Sequence, residues 1–197
     1  MLIVFIGAPG AGKGTQAAQL ATWLGIEHLS TGDLFRKAIA EQTELGREAA
    51  RYMERGMLVP DDVVVQLVTD YLSQQPEGGG VILDGFPRTL AQAEALAREL
   101  ERLGRSICCV IDLLVDESEL KRRLLGRGRH DDTKETIEKR LEVFRRETKP
   151  LIEYYREQGL VEPVDGMGTP EEVFQRIAQV VGRRGCQQAL RESGPPH

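Results

Sequence analysis

The 197-residue chain has no asparagine, only three cysteines, and aromatic residues make up just 5% of it. Without asparagine, the Asn-Lys-x-Asp guanine reader of GTP-binding switches cannot be built. The cysteines, Cys108, Cys109 and Cys186, form neither a C-x-x-C pair nor a zinc-ribbon spacing. They read as two buried core thiols in the run Ile107–Ile111 and one exposed free thiol near the C-terminus, which suits a reducing cytosol. No apolar stretch approaches the ~20 residues of a membrane span. No basic segment precedes the first apolar run, Leu2–Ile6, so no secretory leader is expected. An excess of positive charge is missing too. With 26 basic and 31 acidic residues the net charge is −5, which argues against a general nucleic-acid or membrane-surface binder.

What is present suits one folded domain. The chain is 41% hydrophobic and 29% charged, and long enough to bury a core without disulfides or metals. Twenty arginines against six lysines fit either a genome bias or a demand for fork-shaped phosphate donors.

Apolar runs at Leu2–Ile6, His28–Leu29, Val81–Leu83, Ser106–Asp112 and Leu160–Val164 read as strands, three of them near-continuously apolar, as in strands covered on both faces. Helical patterns lie between them, at about 13–24, 32–42, 44–55, 61–74, 87–103, 117–127, 133–157 and 170–184. This alternation predicts the α/β class, a parallel sheet flanked by helices. Pro87 suits a first helical turn. Asp132 with Glu135 has capping-box spacing, Gly25 and Gly104 suit helix ends, and Pro150 should break the 133–157 pattern. Residues 30–59, a helical pair, interrupt the strand–helix rhythm, and 126–132 form a short charged loop. The core then comprises 1–29, 60–125 and 133–184, with a frayed polar tail at 185–197.

The strand Leu2–Ile6 runs into Gly7-Ala-Pro-Gly-Ala-Gly-Lys-Gly-Thr15 and then a helix, the context a phosphate-binding P-loop requires. Glycines let backbone N–H groups close round phosphate as an anion nest at a helix N-terminus. Lys13 adds a full charge at the β- and γ-phosphates. The strict pattern has Ser or Thr directly after the lysine to ligate magnesium. Here Gly14 stands there and Thr15 follows, so direct ligation by the loop is in doubt. Asp84 ends the strand Val81–Leu83 at the edge where parallel sheets bind ligands; it could also simply cap the next helix. Arg88 and Gln92, four apart, would share a helix face, as would Arg123 and Arg127.

The run from Gly7 to Gln16, together with Ser30-Thr-Gly-Asp-Leu-Phe-Arg36, Asp84-Gly-Phe-Pro-Arg88, Gly126-Arg-Gly-Arg-His-Asp-Asp132 and Lys139-Arg-Leu141, closely resembles adenylate kinase over about residues 1–170. The resemblance implies a three-layer P-loop fold with an AMP-binding insertion at 30–59 and a short lid at 126–132. It implies a cytoplasmic, monomeric phosphotransferase acting on ATP, AMP and ADP, without nucleic-acid or membrane partners. Gly10, Ala11, Gly12, Lys13, Gly14, Thr15, Arg123 and Arg127 would hold ATP, and Gly168 its adenine; Gly166 is the other candidate for that contact. Thr31, Arg36, Met57, Leu58, Val59, Gly85, Phe86, Pro87, Arg88, Gln92, Arg129 and Arg140 would hold AMP. Thr31 or Ser30 could equally be an N-cap, and plain packing suits Met57–Val59 as well. Lys13, Arg88, Arg123, Arg129 and Arg140 would serve catalysis. Asp84 would hold Mg²⁺ through water, and a lid of about seven residues without cysteine excludes lid zinc. His28 and His130 need no catalytic role. The alternative is a UMP/CMP kinase; that family usually has Ala at the place of Thr31 and Asn at that of Thr89.

Overall fold

A computed structural model describes residues 1–76, 78–129 and 132–186. Strands β1 (Leu2–Gly7), β2 (Glu27–Ser30), β3 (Val81–Asp84), β4 (Ile107–Leu114) and β5 (Val161–Asp165) form one parallel sheet in the order β2-β3-β1-β4-β5. This is the expected α/β architecture. The strands β1 and β3 are buried along their whole length, which is why they read as unbroken apolar runs.

Alternate β1 side chains serve two core layers. Ile3 and Phe5 pack with Ala17 and Leu20 of α1 (Lys13–Leu24) and with Val173 and Ile177 of α9 (Pro170–Arg183). Leu2, Val4 and Ile6 face Val68 of α4 (Asp61–Gln74), Leu96 of α5 (Leu90–Arg102) and Tyr155 of α8 (Pro150–Glu157). Trp23 and Phe174 join α1 to α9 edge-to-face, with ring centroids 6.0 Å apart. From β1 the chain passes to the far edge at β2, returns through β3, then crosses to β4 on the other side. The order therefore switches at β1, and a crevice opens beyond the carboxyl ends of β3, β1 and β4.

Residues 30–59 fold as α2 (Thr31–Ala40) and α3 (Glu44–Met53), packed on each other. Helices α6 (Glu117–Arg127) and α7 (Lys134–Val143) flank the charged loop, whose His130 and Asp131 lie outside the described residues. The 133–157 pattern breaks as expected: a π-helical turn, Phe144–Thr148, precedes Pro150 at the start of α8. Among the described residues no helix is long and apolar enough to cross a membrane.

Three local expectations are corrected. Pro87 lies outside α5, after a cis peptide bond with Phe86; Thr89 caps the helix, its hydroxyl accepting from the Gln92 N–H. The helix α7 is capped by Thr133 in a capping box with Thr136, because Asp132 is taken up by arginines. Cys186 is fully buried and forms a disulfide with Cys108, while Cys109 stays a buried thiol. The expected exposed thiol at Cys186 and the expected core thiol at Cys108 are thus corrected to one disulfide; residues 187–197 of the expected tail lie outside the described residues.

Candidate nucleotide site

The crevice forms a cavity of about 490 Å³ between the β1–α1 loop, the start of α2 and the lid helices. Gly10, Gly12, Lys13, Gly14 and Thr15 line it on one side. Gly10 and Gly12 take φ values of 88° and 96°, a region open to glycine, and so turn the loop into the N-terminus of α1. Ala11 is buried beneath them. The Lys13 Nζ donates to the carbonyls of Gly7 (2.7 Å) and Ala8 (3.0 Å), folded back along the loop. Burial pulls its ammonium down to about 8; Arg88 and Arg127 add to this, and Asp84 and Asp112 oppose it.

Asp84 is nearly buried at the end of β3. Burial pushes its carboxyl up, but the His28 imidazole, 3.8 Å away, and the charges of Lys13 and Arg88 outweigh this and leave it below its ordinary value. A Cβ on Gly14 would lie 3.3 Å from the Asp84 Oδ2. A side chain at position 14 would therefore meet the carboxylate closely. Among the described residues no cluster of three or more His, Cys, Asp or Glu could cage a metal. An ionised carboxylate beside a phosphate loop fits Mg²⁺, which keeps several waters and binds through one or two carboxylates plus substrate phosphates.

Arginines supply the opposite wall. Arg36, Arg88, Arg123, Arg127, Arg129 and Arg140 all line the cavity. Arg36 pairs with Asp33, and the Arg88 Nε donates to the Gly85 carbonyl at 2.8 Å. Asp132, its side chain 1% exposed, accepts from the Arg127 Nε and Nη2, each at 2.9 Å, and from Arg140 at 2.7 Å, tying α6 to α7 across the lid. Arg123 takes other partners, its Nη2 donating to the Gly166 carbonyl (3.1 Å) and its Nε to Glu119 (2.6 Å). Hydrogen bonds from Arg122 and Arg123 hold Glu119 down to about 2. Burial lowers Arg88 and Arg129, and neighbouring guanidiniums lower them further: Arg140 and Arg36 for Arg88, Arg36 and Arg127 for Arg129. Cations so crowded repel one another, and a polyanion placed among them relieves the repulsion.

A smaller recess of about 40 Å³ adjoins, lined by Thr31, Met57, Leu58, Val59, Gly85, Arg88 and Gln92 among others. The Thr31 hydroxyl is buried and donates to the Gly85 carbonyl at 2.9 Å; Ser30, not Thr31, caps α2. Phe86 lies in the core, whereas Pro87 lines the larger cavity. Gln92 reaches Arg88 by a different route from a shared helix face, since Arg88 precedes α5. Its Oε1 accepts from the Arg88 backbone N–H at 2.7 Å and its Nε2 donates to Asp61 at 2.7 Å. Gly168 lies in the turn after β5.

Two acidic residues in this region were not singled out from sequence. Asp61 binds both Gln92 and Thr89 at the recess, a contact 28 to 31 residues apart with no local signal. Asp112 lies on β4 opposite Ile6 and is buried, its carboxyl pushed up by burial against the pull of Arg156, Lys13 and Lys149. A charged residue inside an apolar strand was the available signal.

The family model for adenylate kinase matches residues 5–160. The chain is 50% identical over 184 residues to an adenylate kinase of Thermus thermophilus, covering 91% of this chain and 96% of that protein. It is also 50% identical over 183 residues to an adenylate kinase of Mycobacterium tuberculosis, covering 93% of this chain and all of the relative. Phosphate loop, strand-end aspartate and arginine wall meet in one crevice, and the match runs across nearly the whole length: the chain belongs to the adenylate kinase family.

Proposed function

We propose that this chain transfers the terminal phosphoryl group of Mg·ATP to AMP, giving two ADP. The carrying observation is that Lys13, Asp84, Arg88, Arg127, Arg129 and Arg140 line a single cavity. ATP phosphates would lie on the β1–α1 loop beneath Lys13. The AMP phosphate would meet Arg36, Arg88 and Arg140, with its base in the recess at Thr31, Met57–Val59 and Gln92. Asp84 would hold hydrated Mg²⁺, which when bound neutralises charge on the β- and γ-oxygens.

Phosphoryl transfer passes through a loose transition state with charge spread over the moving oxygens, so positioned cations do most of the work. No general base is required, because the attacking AMP oxygen is already largely ionised at neutral pH, its second pKa being about 6. This is consistent with a wall of guanidiniums and no histidine among the described residues that line the cavity. Water is the competing acceptor, and closure of 30–59 and 126–132 over the two nucleotides would exclude it. Distance probes on these segments should shorten when both nucleotides bind; unchanged distances would rule closure out. The chain would act in the cytoplasm as a monomer, where the thiol pool would act on the Cys108–Cys186 bond.

A coupled assay for ADP, run with ATP and each of AMP, CMP, UMP and GMP, with and without Mg²⁺, tests the proposal. Turnover should be Mg²⁺-dependent and strongly favour AMP. Equal or faster turnover on UMP or CMP would overturn the assignment.

A further inference from the structure

We propose that Arg176 of α9 is a positioning residue that sets recognition of the donor base, by fixing which hydrogen-bonding groups the turn after β5 presents. The proposal rests on the reading of Gly168 as the backbone contact to the ATP adenine.

The groups of the turn can be accounted for one by one. The Arg176 Nη1 donates to the carbonyls of Asp165 (2.9 Å) and Met167 (2.6 Å). The Gly166 N–H donates to the Leu114 carbonyl at 2.8 Å, and its own carbonyl accepts from Arg123. The Met167 N–H reaches the Asp165 side chain (2.9 Å), the Thr169 N–H reaches Glu172 (2.8 Å), and the Thr169 carbonyl accepts from the Val173 N–H (3.1 Å). Among the described residues, Gly168 is left with both its N–H and its carbonyl unpaired.

Peptide planarity then fixes their direction. In a trans peptide the C=O and N–H point opposite ways. The Met167 carbonyl and the Gly168 N–H share one plane, so holding that carbonyl on Arg176 turns the Gly168 N–H away from Arg176. The next plane carries the Gly168 carbonyl and the Thr169 N–H, and the Glu172 contact turns that carbonyl away from the Glu172 carboxylate. Gly168 thus keeps one free donor and one free acceptor, each turned away from the side chain that holds its peptide partner. Adenine's Watson–Crick edge carries an amino donor beside a ring-nitrogen acceptor and complements this pair. Guanine carries an acceptor beside a ring N–H donor, the reverse order, so it would leave both polar groups mismatched. Released from Arg176, the Met167–Gly168 peptide could rotate and the order would no longer be imposed.

The Arg176 side chain is 39% exposed, so its replacement leaves the core layers intact. The test compares wild type with Arg176→Ala and Arg176→Lys, measuring kcat, KM for ATP, KM for AMP, and kcat/KM with ATP against GTP as donor. In Arg176→Ala, KM for ATP should rise roughly tenfold and the preference for ATP over GTP should fall by a similar factor, while kcat and KM for AMP hold. Lysine, able to reach one carbonyl, should retain part of both. If kcat and both KM values shift together, or nothing shifts, Arg176 has no such role. If wild type itself does not prefer ATP over GTP, the Gly168 reading fails first. If wild type prefers ATP and the variants keep that preference, only the Arg176 proposal fails.

Discussion

Raising the pH from about 7 to about 9.5 probes the surroundings of Lys13, because kcat/KM reports ionisations of the free protein and kcat those of the complex. Burial brings the Lys13 ammonium from its ordinary 10.5 down to about 8, so the free protein loses this charge as pH rises through that value. At pH 9 about nine-tenths of the lysine is neutral, and kcat/KM for ATP should be about tenfold below its neutral-pH value, falling with unit slope beyond. Bound phosphates favour the charged ammonium and raise its pKa, so kcat should stay level across the same range. So should kcat/KM for AMP at saturating ATP. Substrate ionisation does not confuse the result, since phosphates with a second pKa of about 6 are already about nine-tenths ionised at pH 7 and change little above it. Nor does unfolding from this lysine. A base lowered on folding binds fewer protons in the native than in the unfolded state between pH 8 and 10.5, so its contribution to stability rises with pH across that window. Stopped assays of initial rate against pH, with ATP varied at fixed AMP and the reverse, give all four quantities. A kcat/KM for ATP that stays flat to pH 9.5, or a kcat that falls in parallel, would refute the reasoning.

Four further outcomes are expected. Arg88→Ala should lower turnover by about 10³ to 10⁵, or roughly 4–7 kcal/mol of transition-state stabilisation, with an unchanged circular-dichroism spectrum; near-normal turnover would remove Arg88 from the reaction. Tyr155 buries a hydroxyl that finds no partner among the described residues, so Tyr155→Phe should leave stability unchanged or raise it by about 1–3 kcal/mol in urea denaturation, and a loss would show a hidden partner. The Cys108–Cys186 bond spans 78 residues and ties the end of α9 to β4, so reduction should cost roughly 4 kcal/mol and about 10 °C in Tm by calorimetry. Cys109 should stay unmodified by alkylating agents in the native state, its thiol pushed by burial up to about 12.

The parts legible in sequence were those whose signal is local. The strand Leu2–Gly7 and the turn into Lys13 announce themselves because a doubly covered strand must be apolar and a phosphate nest needs glycine. The break before α8 follows from Pro150 alone. What sequence did not give depends on partners brought together by the fold. Asp132 has the residue type and spacing of an N-cap, yet two arginines from different helices claim its carboxylate and Thr133 takes over the cap. Pro87 looks like a helix start, but the helix waits for Thr89, whose hydroxyl bridges to Asp61. Cys186 sits in a polar stretch that reads as exposed, and only its seat against β4 makes it core. Gln92 reads as sharing a helix face with Arg88, whereas its amide bonds the Arg88 backbone and Asp61 instead.

The claim that two nucleotides meet end to end in this one cavity is tested most directly by the inhibition pattern of two adenosines joined through a polyphosphate chain. Such a compound should compete with ATP and, separately, with AMP, and bind one per chain. Competition with only one of the two substrates, or two molecules bound independently, would contradict a shared site.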